Sequence, residues 1–188
     1  MMPPPPQLRL ERDVPLATMT TLGVGGSARH FLAVNAPDDA IAAIDWARQS
    51  GLDFWILGGG SNALIADHGL DGLVIHPNGQ RLQAIDLGQG RVGVTVDAGH
   101  DWDKLVRWSV DHDLAGIECL SGIPGLVGAA PIQNIGAYGQ QVSDVIDTVE
   151  VLDLQTLQAN TWAQEECRFG YRDSHFKRAG SGRYLVLS

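Results

Sequence analysis

The hydrophobic pattern along the chain changes period several times, and each change marks an element. Residues 29–34 (RHFLAV) read as a short strand. In NAPDDAIAAIDWARQSG the apolar positions Ile41, Ile44 and Ala47 follow helical spacing; Asp38 or Asp39 is placed to cap it, and Gly51 sits where a helix-ending glycine belongs. Residues 54–57 (FWIL) predict a short buried strand that runs straight into Gly58, Gly59, Gly60, Ser61 and Asn62. A second strand-like run is expected at 63–66, then a turn at 68–72 and a strand at 73–76 (LVIH).

After this the period becomes two. Val92, Val94 and Val96 alternate with Gly93, Thr95 and Asp97, so residues 81–87 and 91–98 predict a hairpin about Gly88-Gln89-Gly90. Trp102, Leu105, Val106 and Val110 then form one helical face, with Asp101 as the cap. The stretch 114–139 is rich in loops, and Pro131 is expected to stop any helix begun at Pro124. A second hairpin is expected from 148–154 and 157–162, an irregular segment at 167–180, and a strand beginning at 183–188. The last of these is an apolar run with no turn or cap after it, which predicts the N-terminal part of a longer protein. The tract Pro3 to Pro6 predicts a flexible tail over 1–15.

Composition narrows the classes. The 188 residues carry a formal charge of −9 and are 44% hydrophobic, enough apolar content for a core. Net acidity argues against nucleic acid or an anionic membrane as partner, and no apolar run reaches the roughly 18 residues of a membrane span. The N-terminus has no apolar h-region, so no secretory signal is expected and the cytoplasm is the expected compartment. Cys119 and Cys167 form no CxxC and are expected to be reduced, buried small hydrophobes. His100, Asp101 and Asp103 read as a helix cap with solvated neighbours rather than a metal cluster, so no metal is expected.

Glycine is the informative excess, at 23 residues. Gly23-x-Gly25-x-x-Ala28 matches the dinucleotide fingerprint in letters only, since a Rossmann site needs a strand before it and a helix after it, and here RHFLAV follows. The triple glycine after FWIL can take positive φ and turn consecutive N–H groups on an anion. The third cluster, SGIPGLVGAAPIQNIGAYG, alternates glycine and alanine with Ile123, Leu126, Val127, Ile132 and Ile135. Apolar backing with exposed amides suits a flat ring and a pyrophosphate, with Gln133, Asn134 and Tyr138 as polar anchors.

In order, WILGGGSNALIAD, VDAGHDWDKLV and SGIPGLVGAAPIQNIGAYG resemble the pyrophosphate loop, second helix and second phosphate loop of the vanillyl-alcohol oxidase type of flavoprotein. TTLGVGG, PIQNIGAYG and CRFGYRDSHFK are similar to motifs of one family within it, the UDP-N-acetylenolpyruvoylglucosamine reductases, type I branch. The resemblance covers about residues 16–187. It implies an α+β fold of the vanillyl-alcohol oxidase / PCMH type, with FAD-binding subdomains at 16–77 and 78–188 and the third, substrate domain missing.

It further implies non-covalent FAD, with the amides of Gly58, Gly59, Gly60, Ser61 and Asn62 on the pyrophosphate. Ile123, Gly125, Ala129, Ala130 and Gly136 would line the flavin, and Leu57, Leu64 and Gly99 would also bind the cofactor. Ala129 and Ala130 stand where some relatives carry serines. NADPH would be the hydride donor and a UDP-sugar the substrate, for peptidoglycan synthesis. Arg172 matches the family's catalytic arginine and would offset an enolate; its alternative is a structural ion pair with Asp173 or a nearby carboxylate. Tyr138 would help shape the substrate side. The family's proton-donor serine, in a GSFFKNP-type motif, and its assisting glutamate lie in that third domain, and this motif does not occur among the 188 residues. The expectation is a monomeric chain that binds FAD and turns substrate over weakly or not at all. A non-catalytic flavin-binding module and another flavin oxidoreductase of the same fold are the alternatives.

Overall fold

The computed structural model describes residues 3–5, 8–180 and 182–188, so Pro6 and part of the expected tail lie outside the described residues. The chain divides into two compact units, Met1–Asn78 and Gly79–Ser188.

The first unit is a four-stranded sheet with a helix packed on it. Its strands are β1 (Glu11–Pro15), β2 (Ser27–Val34), β3 (Phe54–Ile56) and β4 (Leu70–Pro77), in the order β1-β2-β4-β3. β4 runs parallel to both β2 and β3, while β1 is antiparallel to β2. Central parallel strands are covered on both faces and so carry continuous apolar runs; Leu73, Val74 and Ile75 of β4 are fully buried. Helix α1 (Pro37–Gln49) packs on β2 and β4 through Ala40, Ala43, Ile44 and Ala47. The other face holds Leu16, Ala28, Phe31, Leu57, Ile65 and Val74.

Three expectations for this unit are corrected, and a fourth is met. Residues 11–15 are a strand rather than tail, held by pairing with β2. The cap of α1 is Ala36, with Pro37 opening the helix; Asp38 and Asp39 fall in the first turn, where they face the positive end of the helix dipole. No strand forms at 63–66: among the described residues no strand pairs with it, and the Ala66 carbonyl instead accepts from the N–H groups of Gly26 and Gly69 at 3.0 and 2.9 Å. Gly23 and Gly25 lie in the turn before β2, so the letters of the dinucleotide fingerprint lead into a strand.

The second unit begins with the hairpin β5 (Leu82–Gly88) and β6 (Arg91–Val96). Gln89 and Gly90 both have positive φ, the two-residue turn whose twist suits a hairpin. Helix α2 (Trp102–Asp111) follows, and Asp101 caps it by accepting from the Lys104 N–H at 2.9 Å. The glycine-rich stretch contains a 3-10 turn, Val127–Ala129, that runs directly into α3 (Ala130–Gln133). Pro131 therefore opens a short helix instead of ending one, since the first turn needs no N–H from it. The two-residue strands β7 (Gly136–Ala137) and β8 (Gln140–Gln141) pair next.

The unit closes with β9 (Thr148–Asp153), β10 (Gln158–Ala163), α4 (His175–Arg178) and β11 (Tyr184–Val186), the three strands forming an antiparallel sheet in the order β10-β9-β11. The segment expected to be irregular thus contains α4, capped by Ser174, whose hydroxyl accepts from the Lys177 N–H at 3.2 Å. Val149, Val151, Cys167, Phe176 and Val186 share one core cluster. Cys119 and Cys167 are both free; Cys167 is fully buried, whereas Cys119 is only half-buried. Burial, together with the neighbouring Glu166, pushes the Cys167 thiol up to about 11, so labelling of the folded chain by a thiol reagent is expected at Cys119 first, with Cys167 reacting only on unfolding. Equal native-state rates in peptide mapping would contradict this.

His30 of β2 is 3% exposed, its ring meets Trp46 edge-on at 5.2 Å, and its Nε2 has no hydrogen-bond partner among the described residues. Burial, with Arg12 and Arg29 adding to it and Asp13 and Asp71 opposing, lowers its pKa from 6.5. The unfolded chain then takes up this proton first, so stability is complete above 6.5 and falls as pH drops towards the lower folded value. His175 is shifted the same way by burial and by Arg168, Arg178 and Arg183. Thermal unfolding of His30→Phe between about pH 7 and about pH 5 is expected to depend less on pH than that of the parent chain; an unchanged slope would contradict this account.

Candidate functional site

In the first unit the site grows out of the end of β3. Leu57 continues the strand: it is buried, and its N–H donates to the Ile75 carbonyl at 2.9 Å. Its side chain is thus engaged in the core and its amide in the sheet. From Gly58 the chain leaves the sheet. Among the described residues, none of the five N–H groups of residues 58–62 donates a hydrogen bond. Backbone donors left open in a row are what an anion-binding nest requires.

Gly60 holds this loop down. It has φ +65°, and a Cβ there would run into the Met19 carbonyl. Its own carbonyl accepts from the Thr21 N–H at 3.2 Å. Of the triple glycine, Gly60 takes positive φ; Gly58 does not, and has open space where its Cβ would lie. Ser61 and Asn62 are exposed beside the open amides, and Leu64 is 79% exposed. Residues 18–21 with Gly58, Gly59 and His76 wall a hollow of about 350 Å³. The open donors and the room beside Gly58 fit a diphosphate.

In the second unit the glycine-rich stretch is fastened to the segment before α2. The Val127 N–H donates to His100 at 2.8 Å and the Gly128 N–H to Ala98 at 2.9 Å, a close approach that leaves no room for a Cβ on Gly128. Asp103 is tied rather than simply solvated. Its carboxylate accepts from the Gly122 N–H at 2.7 Å and the Ser121 hydroxyl at 2.9 Å, and these bonds hold it below the usual carboxylate range. Ile123, Gly125 and Ala129 are half-buried along this stretch, and Gly136 is half-buried in β7. Gly99 is buried, and its carbonyl accepts from the Gln80 amide at 2.6 Å. Ala130 is 2% exposed and packs with Trp102, Leu105, Val106 and Leu120. Its methyl faces the core.

Asn134 organises the remaining residues. It ends α3 in the left-handed conformation, φ 42°, and is 2% exposed. Its amide nitrogen donates to the Gly170 carbonyl at 2.9 Å and to Gln141 Oε1 at 3.1 Å, while its oxygen accepts from the Ser143 N–H at 3.1 Å. The expected ligand anchor is thus a structural pin. Gly170 and Asp173 bond each other in both directions, closing a tight turn whose tip is Tyr171 and Arg172. Arg172 has φ 53° and is exposed. Asp173 pairs with Arg178, not with Arg172, and among the described residues no ion pair involves Arg172. The alternative, an ion pair of Arg172 with Asp173 or a nearby carboxylate, is not formed among the described residues. Tyr138, at the tip between β7 and β8, has φ 47° and is 91% exposed. Non-glycine residues held at positive φ cost energy, and such positions concentrate at functional sites.

Sequence reading missed Ser174, whose hydroxyl donates to the Ile132 carbonyl at 2.7 Å and ties α4 to α3. It also missed His76. A signal for Asn134 was present, since asparagine is the usual substitute for glycine after a helix end.

A family model described as "FAD binding domain" matches residues 28–156. The chain belongs to this family. The FAD binding domain is 46% identical over 175 residues to a UDP-N-acetylenolpyruvoylglucosamine reductase of Thermobifida fusca, covering 93% of this chain and 49% of that protein. The chain spans about half the length of the curated relatives it matches. It is also similar to the crystal structure of the UDP-N-acetylenolpyruvylglucosamine reductase of Thermus caldophilus, with TM-score 0.70 and 33% identity over 96% of this chain and 62% of that one. A VAO-type flavoprotein of Myceliophthora thermophila shares the fold at TM-score 0.60 and 15% identity, over 86% of this chain and 31% of that one. The fold is thus the α+β flavin-binding fold of the vanillyl-alcohol oxidase type.

Replacing Asn134 by Ala leaves the Ser143 N–H and the Gly170 carbonyl short of a partner and puts alanine at positive φ. A loss of about 2–4 kcal/mol is expected in urea unfolding. A loss within error of zero would show that the pin carries no weight.

Proposed function

We propose that this chain is the FAD-binding part of an NADPH-driven reductase that converts UDP-N-acetylenolpyruvoylglucosamine to UDP-N-acetylmuramate, a cytoplasmic step of peptidoglycan synthesis. The observation that carries this reading is the 46% identity, over 93% of the chain, to a protein of that name. Structures that are 14–16% identical, among them a cholesterol oxidase and a nicotine oxidase, support the fold and no particular substrate.

In this reading the open amides of Gly58, Gly59, Gly60, Ser61 and Asn62 hold the pyrophosphate of FAD. Ile123, Gly125, Ala129 and Gly136 offer backbone and small side chains to its ring. FAD, when bound, supplies the two-electron carrier between NADPH and the enolpyruvyl double bond. Arg172 contributes a fixed positive charge beside the substrate carboxylate, where negative charge grows as the double bond is reduced. A guanidinium keeps its proton throughout and is planar enough to grip a carboxylate with two N–H groups. Its turn aims it: Gly170 is held by Asn134, and Lys177 donates to the Arg172 carbonyl at 2.7 Å. Tyr138 supplies an exposed ring and hydroxyl on the neighbouring tip.

Titration of the purified chain with FAD is expected to saturate at one flavin per chain, and acid is expected to release it intact. NADPH-dependent turnover of the sugar nucleotide by these 188 residues alone is expected to be weak or absent, because the serine motif is not among them. A chain that leaves FAD spectrally unchanged would overturn the reading. Rapid turnover would overturn the assignment of the proton donor.

A further inference from the structure

The hollow beside Gly58 and Gly59 carries a side chain that the cofactor assignment leaves unused. His76 lies in β4, and its ring stacks on Phe31 with centroids 5.9 Å apart and planes 29° from parallel. Its Nδ1 lies 2.8 Å from the Leu57 carbonyl oxygen. A carbonyl oxygen only accepts, so Nδ1 carries the proton. In the tautomer that this bond selects, the lone pair is on Nε2. Stacking and the Nδ1 bond together hold the ring in one orientation. Among the described residues Nε2 has no hydrogen-bond partner, and the half-buried ring forms part of the wall of the hollow. Two other wall residues have their hydroxyls turned to the backbone, Thr18 to Pro15 at 3.0 Å and Thr20 to Val24 at 3.1 Å.

The wall therefore presents two complementary kinds of group. The loop at 58–62 offers donors that match phosphate oxygens. In that tautomer His76 offers an acceptor, which matches a hydroxyl rather than a phosphate oxygen. A ligand that satisfies both carries a diphosphate and an adjacent sugar hydroxyl, which is the chemistry of a nucleoside diphosphate. The geometry points to a nucleotide subsite here, in which His76 Nε2 accepts a hydrogen bond from a ribose hydroxyl of the adenosine diphosphate half of FAD. This rests on the FAD reading and deepens it by naming the residue that reads the sugar.

The test measures FAD binding to the 188-residue chain by flavin fluorescence, with ADP, 2′-deoxy-ADP, 3′-deoxy-ADP, FMN and NADPH as competitors. ADP is expected to displace FAD and FMN is not. Loss of the contacted hydroxyl is expected to weaken ADP by about tenfold. His76→Asn keeps a donor near the position of Nδ1 and removes Nε2. It is expected to bind FAD about tenfold more weakly, melt like the parent chain, and no longer distinguish ADP from its deoxy forms. His76→Gln, whose amide oxygen reaches the place of Nε2, is expected to regain part of the affinity. Unchanged FAD affinity in His76→Asn, with ADP and both deoxy forms equivalent on the parent chain, would overturn the inference while leaving the FAD reading intact. Displacement of FAD by FMN as strongly as by ADP would place the flavin half of the coenzyme here and likewise overturn it; NADPH, which has an adenosine diphosphate half of its own, serves as a control for that half. Absence of FAD binding to the parent chain would remove the FAD reading itself. Should His76→Asn fail to fold, the comparison of ADP with its deoxy forms on the parent chain decides the matter alone.

Discussion

The Met19 carbonyl occupies the place that a side chain on residue 60 would need, and the geometry of the loop at 58–62 follows from that contact. Because position 60 is glycine at positive φ, the chain can turn sharply under the Leu16–Met19 turn on leaving β3. The link is made through the Gly60 carbonyl, which accepts from Thr21, so the loop is fixed without using its own N–H groups. An anion site needs rigidity and unused donors together. Fixing the loop through its carbonyl side supplies both.

The second unit meets a similar demand with a side chain. Asn134 reaches three segments at once: the turn that carries Arg172, the strand after Tyr138, and the start of the 3-10 turn at Ser143. A buried amide with its hydrogen bonds made in several directions fixes position in a way that apolar packing does not, because hydrogen bonds have preferred angles. Tyr138 and Arg172 can then stand on exposed tips, at positive φ, and still hold their place. Ser174 adds a second tie between the same regions through Ile132. Tyr138 and Arg172 project from short turns, and the rigidity comes from buried polar side chains behind them.

Much of this was legible before any coordinates. The alternation of Val92, Val94 and Val96, the helical face of Trp102, Leu105 and Val106, and the cap at Asp101 all appear where the pattern put them. These are local signals, set by side-chain period and capping chemistry within a few residues. The failures also have local causes. Residues 63–66 carry strand-like letters, yet no neighbouring strand pairs with them and the run is split between core and solvent. Residues 11–15 look like tail until their antiparallel partner, β2, is in place. Leu57 and Ala130, placed at the cofactor by resemblance, have their side chains in the core.

The sequence by itself determined the elements with strong period, the glycine after FWIL that lets the chain turn, and the family to which the motifs belong. Those properties depend on residue type and short-range geometry. Only the tertiary structure decided that Asn134 is a pin, that Asp173 takes Arg178 and leaves Arg172 unpaired, that Asp103 is tied to the loop at Ser121, and that His76 turns Nδ1 to Leu57. Each of these is a choice among partners, and most of the partners lie far apart along the chain. Hydrogen bonds and ion pairs act over a few ångströms, so which partner wins is settled by the fold that brings one candidate within reach and holds the others away.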